Sequence, residues 1–120
     1  MRFAGIYGIA VGILIFVQWI YFLLTAQVPE LDAAPFEMVF HLAAEFITSM
    51  IMVAGGAAVL RREPWAARLY YLASGMLLYA VINSAGYFIQ LGQWPFVAML
   101  ALLFLLTVVS VGKVVRAAKA

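Results

Sequence analysis

The stretch PFEMVFHLAAEFITSMIMVAGGAAVL, residues 35–60, decides the fold of this 120-residue chain. It exceeds the roughly 20 apolar residues needed to span a hydrocarbon core about 30 Å thick. Within its apolar run, at Phe40-His41-Leu42-Ala43-Ala44-Glu45-Phe46, lie the only histidine of the chain and one acid. The stretch therefore predicts a transmembrane helix, and His41 with Glu45 is the first place to look for a functional site.

Three further apolar stretches flank this one, and they predict spans over roughly 3–26, 69–90 and 96–112 beside 35–60. The chain is 68% hydrophobic and only 10% charged, whereas charged residues make up about a quarter of soluble domains. We therefore expect an all-α integral membrane protein with a single four-helix transmembrane domain covering residues 1–120. Short links favour antiparallel neighbours, which predicts an up-down-up-down bundle.

A secretory signal peptide is the competing interpretation of the N-terminal segment, because Arg2 precedes an apolar run. That run is longer than a usual signal core, and no small-x-small cleavage site follows Leu24. The segment is therefore interpreted as the first transmembrane span.

Charge sets the predicted orientation. If the four spans alternate in direction, every lysine and arginine falls on one side: Arg2, Arg61, Arg62, Arg68, Lys113, Arg116 and Lys119. Glu30, Asp32 and Glu37 fall on the other side. The positive-inside rule then places both termini in the cytoplasm. The expected location is the cell membrane, as a multi-pass protein of the prokaryotic cytoplasmic membrane.

Aromatic residues near the predicted span ends fit the belts that form at membrane interfaces. Trp19, Tyr21 and Trp94 mark the outer side, and Trp65, Tyr70 and Tyr71 mark the inner side. Tyr70 and Tyr71 are both interpreted as interface anchors.

Composition also bounds the chemistry. The chain has no cysteine, which excludes disulfides and thiolate sites, and its net charge of +2 does not call for a nucleic-acid partner. One histidine and one embedded carboxylate are too few ligands for a metal site within a single chain. We therefore predict no metal and no cofactor, with the lipid bilayer as the evident partner.

Three spans place a strongly polar side chain at one depth. Counting about 1.5 Å per helical residue, Gln18, Glu45 and Asn83 each lie roughly 9 Å inside the outer membrane boundary. Residues at helical spacing share faces with them and extend the predicted polar pocket in the outer half of the bundle. The predicted ligand or proton site comprises Glu45, His41, Asn83, Gln18, Tyr87, Tyr79, Thr48 and Ser49.

Glu45 is the central residue of this prediction. An ionised carboxylate facing lipid costs several kcal/mol, so Glu45 is expected to face the bundle interior, to be protonated, or both. His41 lies at the i, i+4 spacing that brings two helical side chains together, and the two groups should titrate as one coupled unit. Such a pair can relay a proton, hold a cationic group or act as general acid and base.

The sequence leaves three functions open. The leading one is a His/Glu pocket that binds a small amphipathic or cationic ligand or relays protons. The second is an accessory or assembly subunit, in which Gln18, Asn83, Thr48 and Ser49 are interhelical hydrogen-bonding groups. The third is an enzyme performing proton transfer on a lipid-soluble substrate.

A glycine face on the first span bears on packing and on partners. Gly5, Gly8 and Gly12 cluster on one side, with Gly8 and Gly12 at the four-residue spacing that allows two helix backbones to approach closely. They are predicted helix-packing positions. In the accessory-subunit hypothesis this face and the apolar fourth helix dock onto a partner membrane subunit, and a homo-oligomer is plausible under every hypothesis.

Overall fold

The computed structural model describes residues 2–25 and 34–119, and these residues form an all-α protein without β-strands. Its helices are α1 (Arg2–Leu24), α2 (Pro35–Leu60), α3 (Ala66–Gln90) and α4 (Trp94–Lys119). Glu30 and Asp32, which entered the orientation argument, lie outside the described residues, as does most of the predicted link before Pro35.

In the part of the chain that the structure describes, four helical segments are long and apolar enough to cross a membrane: Arg2–Leu24, Pro35–Leu60, Ala66–Gln90 and Trp94–Ala118. This finding indicates a multi-pass membrane protein. The fourth helix continues past the predicted span end at residue 112 and includes the basic tail as far as Lys119. The tail extends the helix because alanine, lysine and arginine are strong helix formers.

The helix ends follow from local sequence. Pro35 occupies the first turn of α2, where its missing N–H costs no helical hydrogen bond. After α2, Arg62 has a positive φ of 58°, and the Glu63 N–H donates to the Ala58 carbonyl across the end of the helix. Gly92, with φ of 70°, supplies the left-handed residue that ends α3.

Glycines bring α1 and α2 together. A Cβ added at Gly12 would lie 2.6 Å from the Ser49 carbonyl oxygen, and one added at Gly56 would lie 2.6 Å from the Gly5 carbonyl oxygen. Lipid tails are as apolar as leucine side chains, so helices in membranes associate largely through such close packing of small residues. Because the start of α1 contacts the end of α2, the two helices run antiparallel.

Hydroxyl groups connect α4 and α3 to α1. The Tyr7 hydroxyl lies 2.7 Å from Thr107 Oγ1 and donates to the Leu103 carbonyl at 3.1 Å. The Tyr70 hydroxyl donates to the Ala4 carbonyl at 2.9 Å. Apolar residues then fill the interior in two clusters, one including Val11, Ile15, Met52, Leu77 and Val81 and the other Ala58, Val59, Ala66 and Val114.

All four helices meet at the end of the molecule that carries the basic residues, and the end of α2 lies there through the contact of Leu60 with Gly5. The Lys113 ammonium lies 5.8 Å from the centre of the Phe3 ring, which joins the end of α4 to the start of α1. The Tyr70–Ala4 hydrogen bond brings the start of α3 to the same end. The interpretation of Tyr70 as an interface anchor is wrong, because Tyr70 is fully buried, whereas Tyr71 is exposed.

Candidate functional site

Glu45 lies in a cluster with Trp19 and His41. Its side chain is only 9% exposed. The Trp19 indole N–H donates to Glu45 Oε2 at 3.3 Å, and His41 Nε2 lies 3.8 Å from Glu45 Oε1. The Trp19 and His41 rings meet edge to face with centroids 5.7 Å apart. One carboxylate oxygen therefore has a hydrogen-bond donor, and the other faces the imidazole at a distance too long for a direct hydrogen bond.

The positions of these three side chains follow from the helices that carry them. His41 and Glu45 are one turn apart on α2, so they project on the same side. The glycine contacts between α1 and α2 continue toward the end of α1 as packing between Phe16 and Phe46, whose ring centroids are 5.3 Å apart. About one turn after Phe16 on α1, the same packing of α1 against α2 places Trp19 beside His41 and Glu45.

A groove of about 540 Å³ runs between α2 and α3, with the Glu45 cluster at one end. We call it the α2–α3 groove. Its volume falls within the range of small-molecule sites, about 300–1,000 Å³. It is lined by His41, Ala44, Glu45, Thr48, Tyr71, Leu72, Gly75, Met76, Tyr79, Ala80 and Asn83.

Five of the eight predicted site residues line the α2–α3 groove: His41, Glu45, Thr48, Tyr79 and Asn83. They do not all face the bundle interior as expected. Tyr79 and Asn83 are exposed. The buried face of α3 instead comprises Ala66, Tyr70, Ala73, Ser74, Leu77 and Val81. The polar face of α3 therefore points into the groove and toward lipid.

Gln18, Tyr87 and Ser49 do not line the groove. Gln18 is half-buried on α1, next to the Trp19 that contacts Glu45. Tyr87 is exposed and packs against Phe88 with ring centroids 5.3 Å apart. Ser49 is buried, donates to the Phe46 carbonyl at 2.7 Å and lines a separate hollow of about 240 Å³ beside Gly12.

Sequence reasoning missed two features. The first is Trp19, which the sequence alone places in the aromatic belt. In the structure it lies on α1 at the level of Glu45 on α2 and donates to its carboxylate. The second feature is a layer of buried hydroxyl groups nearer the start of α1 than the Glu45 cluster. It comprises Tyr7, Tyr70, Ser74, Thr107 and Ser110. Its tyrosine, serine and threonine residues are too common in membrane helices to stand out in a sequence.

The cluster offers proton and cation chemistry. A carboxylate accepts hydrogen bonds, and an imidazole either donates or accepts according to its protonation. Within residues 2–25 and 34–119, no three histidine, cysteine, aspartate or glutamate side chains lie close enough together to hold a metal ion. The groove beside the cluster gives these two groups room to meet a ligand.

Comparisons with known proteins add a family without an assigned activity. No curated protein and no solved structure matches the chain. A family model described as "Domain of unknown function (DUF8058)" matches residues 1–120, which is the full length of the sequence. The chain therefore belongs to the DUF8058 family.

Proposed function

We propose that the four helices form an up-down-up-down bundle in a prokaryotic cytoplasmic membrane, with both termini cytoplasmic. The gathering of the start of α1, the start of α3 and the end of α4 at one basic end supports this orientation. The Glu45 cluster then belongs to the outer half of the bilayer.

The orientation gives a direct labelling prediction. The chain has no native cysteine, so single cysteines can be introduced into an otherwise unreactive protein. We expect Gln93→Cys, between α3 and α4, to react with a membrane-impermeant maleimide in intact cells. Pro64→Cys, between α2 and α3, should react only after permeabilisation. The reverse pattern would show that the orientation is inverted.

Within this membrane arrangement, the protein binds a small amphipathic or cationic molecule at the Glu45 end of the α2–α3 groove. The carrying observation is the buried Glu45 carboxyl group in a helix long and apolar enough to span a membrane, beside a groove of about 540 Å³. Ionisable groups at such depth are costly and usually belong to a site of function.

The geometry favours a binding role over a purely structural one. A structural carboxylate has its acceptor positions filled by protein donors, as expected for buried charges. Glu45 has the Trp19 donor on Oε2, but His41 stands 3.8 Å from Oε1. A ligand N–H group can therefore approach Oε1 from the groove.

Ligand binding is also better supported than a proton relay through the bundle. Along α1, Val11 and Ile15 lie between Trp19 and Tyr7, and together with Met52 and Leu77 they form a buried cluster without exchangeable side-chain protons that separates Glu45 from the buried Tyr7 and Thr107 hydroxyls. The accessory-subunit alternative expects the Gly5, Gly8 and Gly12 face to dock onto a partner protein. This face instead packs against α2 of the same chain, so only the apolar fourth helix still supports that alternative.

The proposal is tested with Glu45→Gln. Glutamine keeps an oxygen that can accept the Trp19 hydrogen bond, so we expect unchanged or slightly higher thermal stability. We expect affinity for primary alkylamines to fall at least about tenfold, because the charge opposite the ammonium group is lost. Fluorescence titration of the reconstituted protein measures binding, and thermal unfolding measures stability.

Glu37→Gln is the matched control, because Glu37 is an exposed acid on the same helix, two turns before Glu45. This variant should bind alkylamines as the wild type does. Equal amine affinity for the wild type and Glu45→Gln would contradict the binding role. Loss of folding in Glu45→Gln alone would instead assign the carboxyl group a structural role.

A further inference from the structure

We propose that the ligand of the α2–α3 groove is a single-chain amphiphile with a protonated amine head group, and that it enters sideways from the bilayer. The inference rests on the proposed function and assigns a chemical class to its ligand. The head group lies at Glu45, and the hydrocarbon chain runs along α3 toward Leu72.

Polarity is segregated along the groove. His41, Glu45 and Asn83 lie at one end, and Tyr79 and Thr48 come next; the Thr48 hydroxyl already donates to the Ala44 carbonyl of its own helix. Toward the other end the walls consist of Met76, Gly75 and Leu72, with Tyr71 last. A groove with its ionisable and amide side chains at one end and mainly apolar walls beyond them matches a molecule with one polar head and one hydrocarbon chain.

The groove opens toward the lipid phase. The residues on its rim are strongly exposed, with Tyr79 at 75% and Leu72 at 57%. Because α2 and α3 cross the membrane as neighbouring helices, the exposed side of the groove between them faces lipid chains. A lipid-soluble ligand can therefore enter laterally without crossing the aqueous boundary.

Charge selects the head group. Glu45 is the only acid among the residues that line the groove, and no lysine or arginine lines it. A primary amine is protonated at neutral pH and carries three N–H donors. It can donate to Glu45 Oε1 and to the side-chain amide oxygen of Asn83, whereas an alcohol brings no charge to the buried carboxylate.

Gly75 leaves space in the groove for the hydrocarbon chain of the ligand. It lines the groove, and a Cβ added there would meet nothing within 4 Å. The contact of Gly55 with Tyr70 sets the register of α2 against α3 and places Glu45 level with Ala80. Gly75 is five residues further, or about 7.5 Å along the helix. Even at the full bond length of about 1.5 Å, the four bonds from nitrogen to the last carbon of butylamine span less than this distance, whereas the sixteen bonds of hexadecylamine span more.

The test uses hexadecylamine, hexadecanol and butylamine with protein in phosphatidylcholine nanodiscs. Trp65→Phe and Trp94→Phe leave Trp19, which touches Glu45, as the only tryptophan and the reporter of binding. We expect Gly75→Leu to weaken hexadecylamine binding about tenfold, because the leucine side chain fills the space that the hydrocarbon chain occupies and the chain can no longer pack there without a clash. Butylamine binding should not change.

Gly86→Leu is the matched control. Gly86 is also an exposed glycine of α3 with nothing within 4 Å of an added Cβ, but it does not line the groove. This variant should bind hexadecylamine as the wild type does. Hexadecanol should give at least about tenfold weaker binding than hexadecylamine at equal bilayer mole fraction.

Two outcomes overturn the inference and leave the proposed function standing. In the first, Gly75→Leu changes neither amine while Glu45→Gln weakens both, so the site holds a cation without a chain. In the second, hexadecanol binds as tightly as hexadecylamine, so the groove selects an uncharged amphiphile. If Glu45→Gln leaves every titration unchanged, the inference and the proposed function fall together.

Discussion

Gly56→Ala is expected to destabilise the protein by about 3 kcal/mol, the upper end of the cost of overpacking a close contact. The added Cβ would lie 2.6 Å from the Gly5 carbonyl oxygen and 2.9 Å from the Ile9 backbone nitrogen. Both neighbours are backbone atoms of α1, so no side-chain rotation relieves the clash. The two helices must move apart, and the contacts at Gly8 and Gly12 weaken with them.

Reversible unfolding in mixed detergent micelles measures this effect. Gly86→Ala makes the same chemical change in a helix where nothing lies within 4 Å of the added methyl group. Alanine is the better helix former, so this control should be neutral or slightly stabilising. The difference between the two variants isolates the α1–α2 contact. Equal stabilities would show that the helices are not held at the observed separation.

The membrane-spanning character of the fold could be predicted because it depends on long apolar runs. The stretch over residues 35–60 predicted α2 with the observed ends Pro35 and Leu60. The end of α4 could not be predicted from hydropathy, because the last residues leave the apolar run while remaining good helix formers. Hydropathy identifies the membrane-spanning segment, whereas helix propensity and backbone hydrogen bonding set where the helix stops.

For the candidate site, the sequence predicts contacts between residues of one helix but not the contacts between different helices. His41 and Glu45 meet because both lie on α2 at fixed spacing. The partner from α1 is Trp19, not the equally deep Gln18, because a rotation of one residue, about 100°, decides which side chain faces α2. The depth of a residue in the membrane, counted along the sequence, does not give the rotation of its helix. That rotation depends on how the Gly5, Gly8 and Gly12 face packs α1 against α2.

The tyrosine pair on α3 shows the same distinction between depth and rotation. Tyr70 and Tyr71 are adjacent in sequence and equally suited to a membrane interface. The structure separates them: Tyr70 is fully buried with its hydroxyl on the Ala4 carbonyl, and Tyr71 is 37% exposed at the end of the α2–α3 groove away from Glu45. A pattern of residue types cannot distinguish them, but their substitutions should differ strongly.

Tyr70→Ala is expected to cost about 3–5 kcal/mol, the range for truncating a buried aromatic side chain. It removes the largest fully buried side chain and leaves a cavity among Ala4, Val59 and Val114. Tyr70→Phe keeps the ring and removes the bond to the Ala4 carbonyl, so it should cost only about 0.6–1 kcal/mol in a membrane interior.

Tyr71→Ala is the matched control for this cavity and should change the free energy of unfolding by less than about 1 kcal/mol, since its ring is partly exposed. Unfolding in mixed micelles compares the three variants under one condition. Because α1 is joined to α3 through Tyr70 and to α4 through Tyr7, the Tyr70 cavity should weaken the packing of these three helices at the basic end of the molecule. Similar losses for Tyr70→Ala and Tyr71→Ala would mean that both tyrosines act at the interface and that the observed helix rotation is wrong.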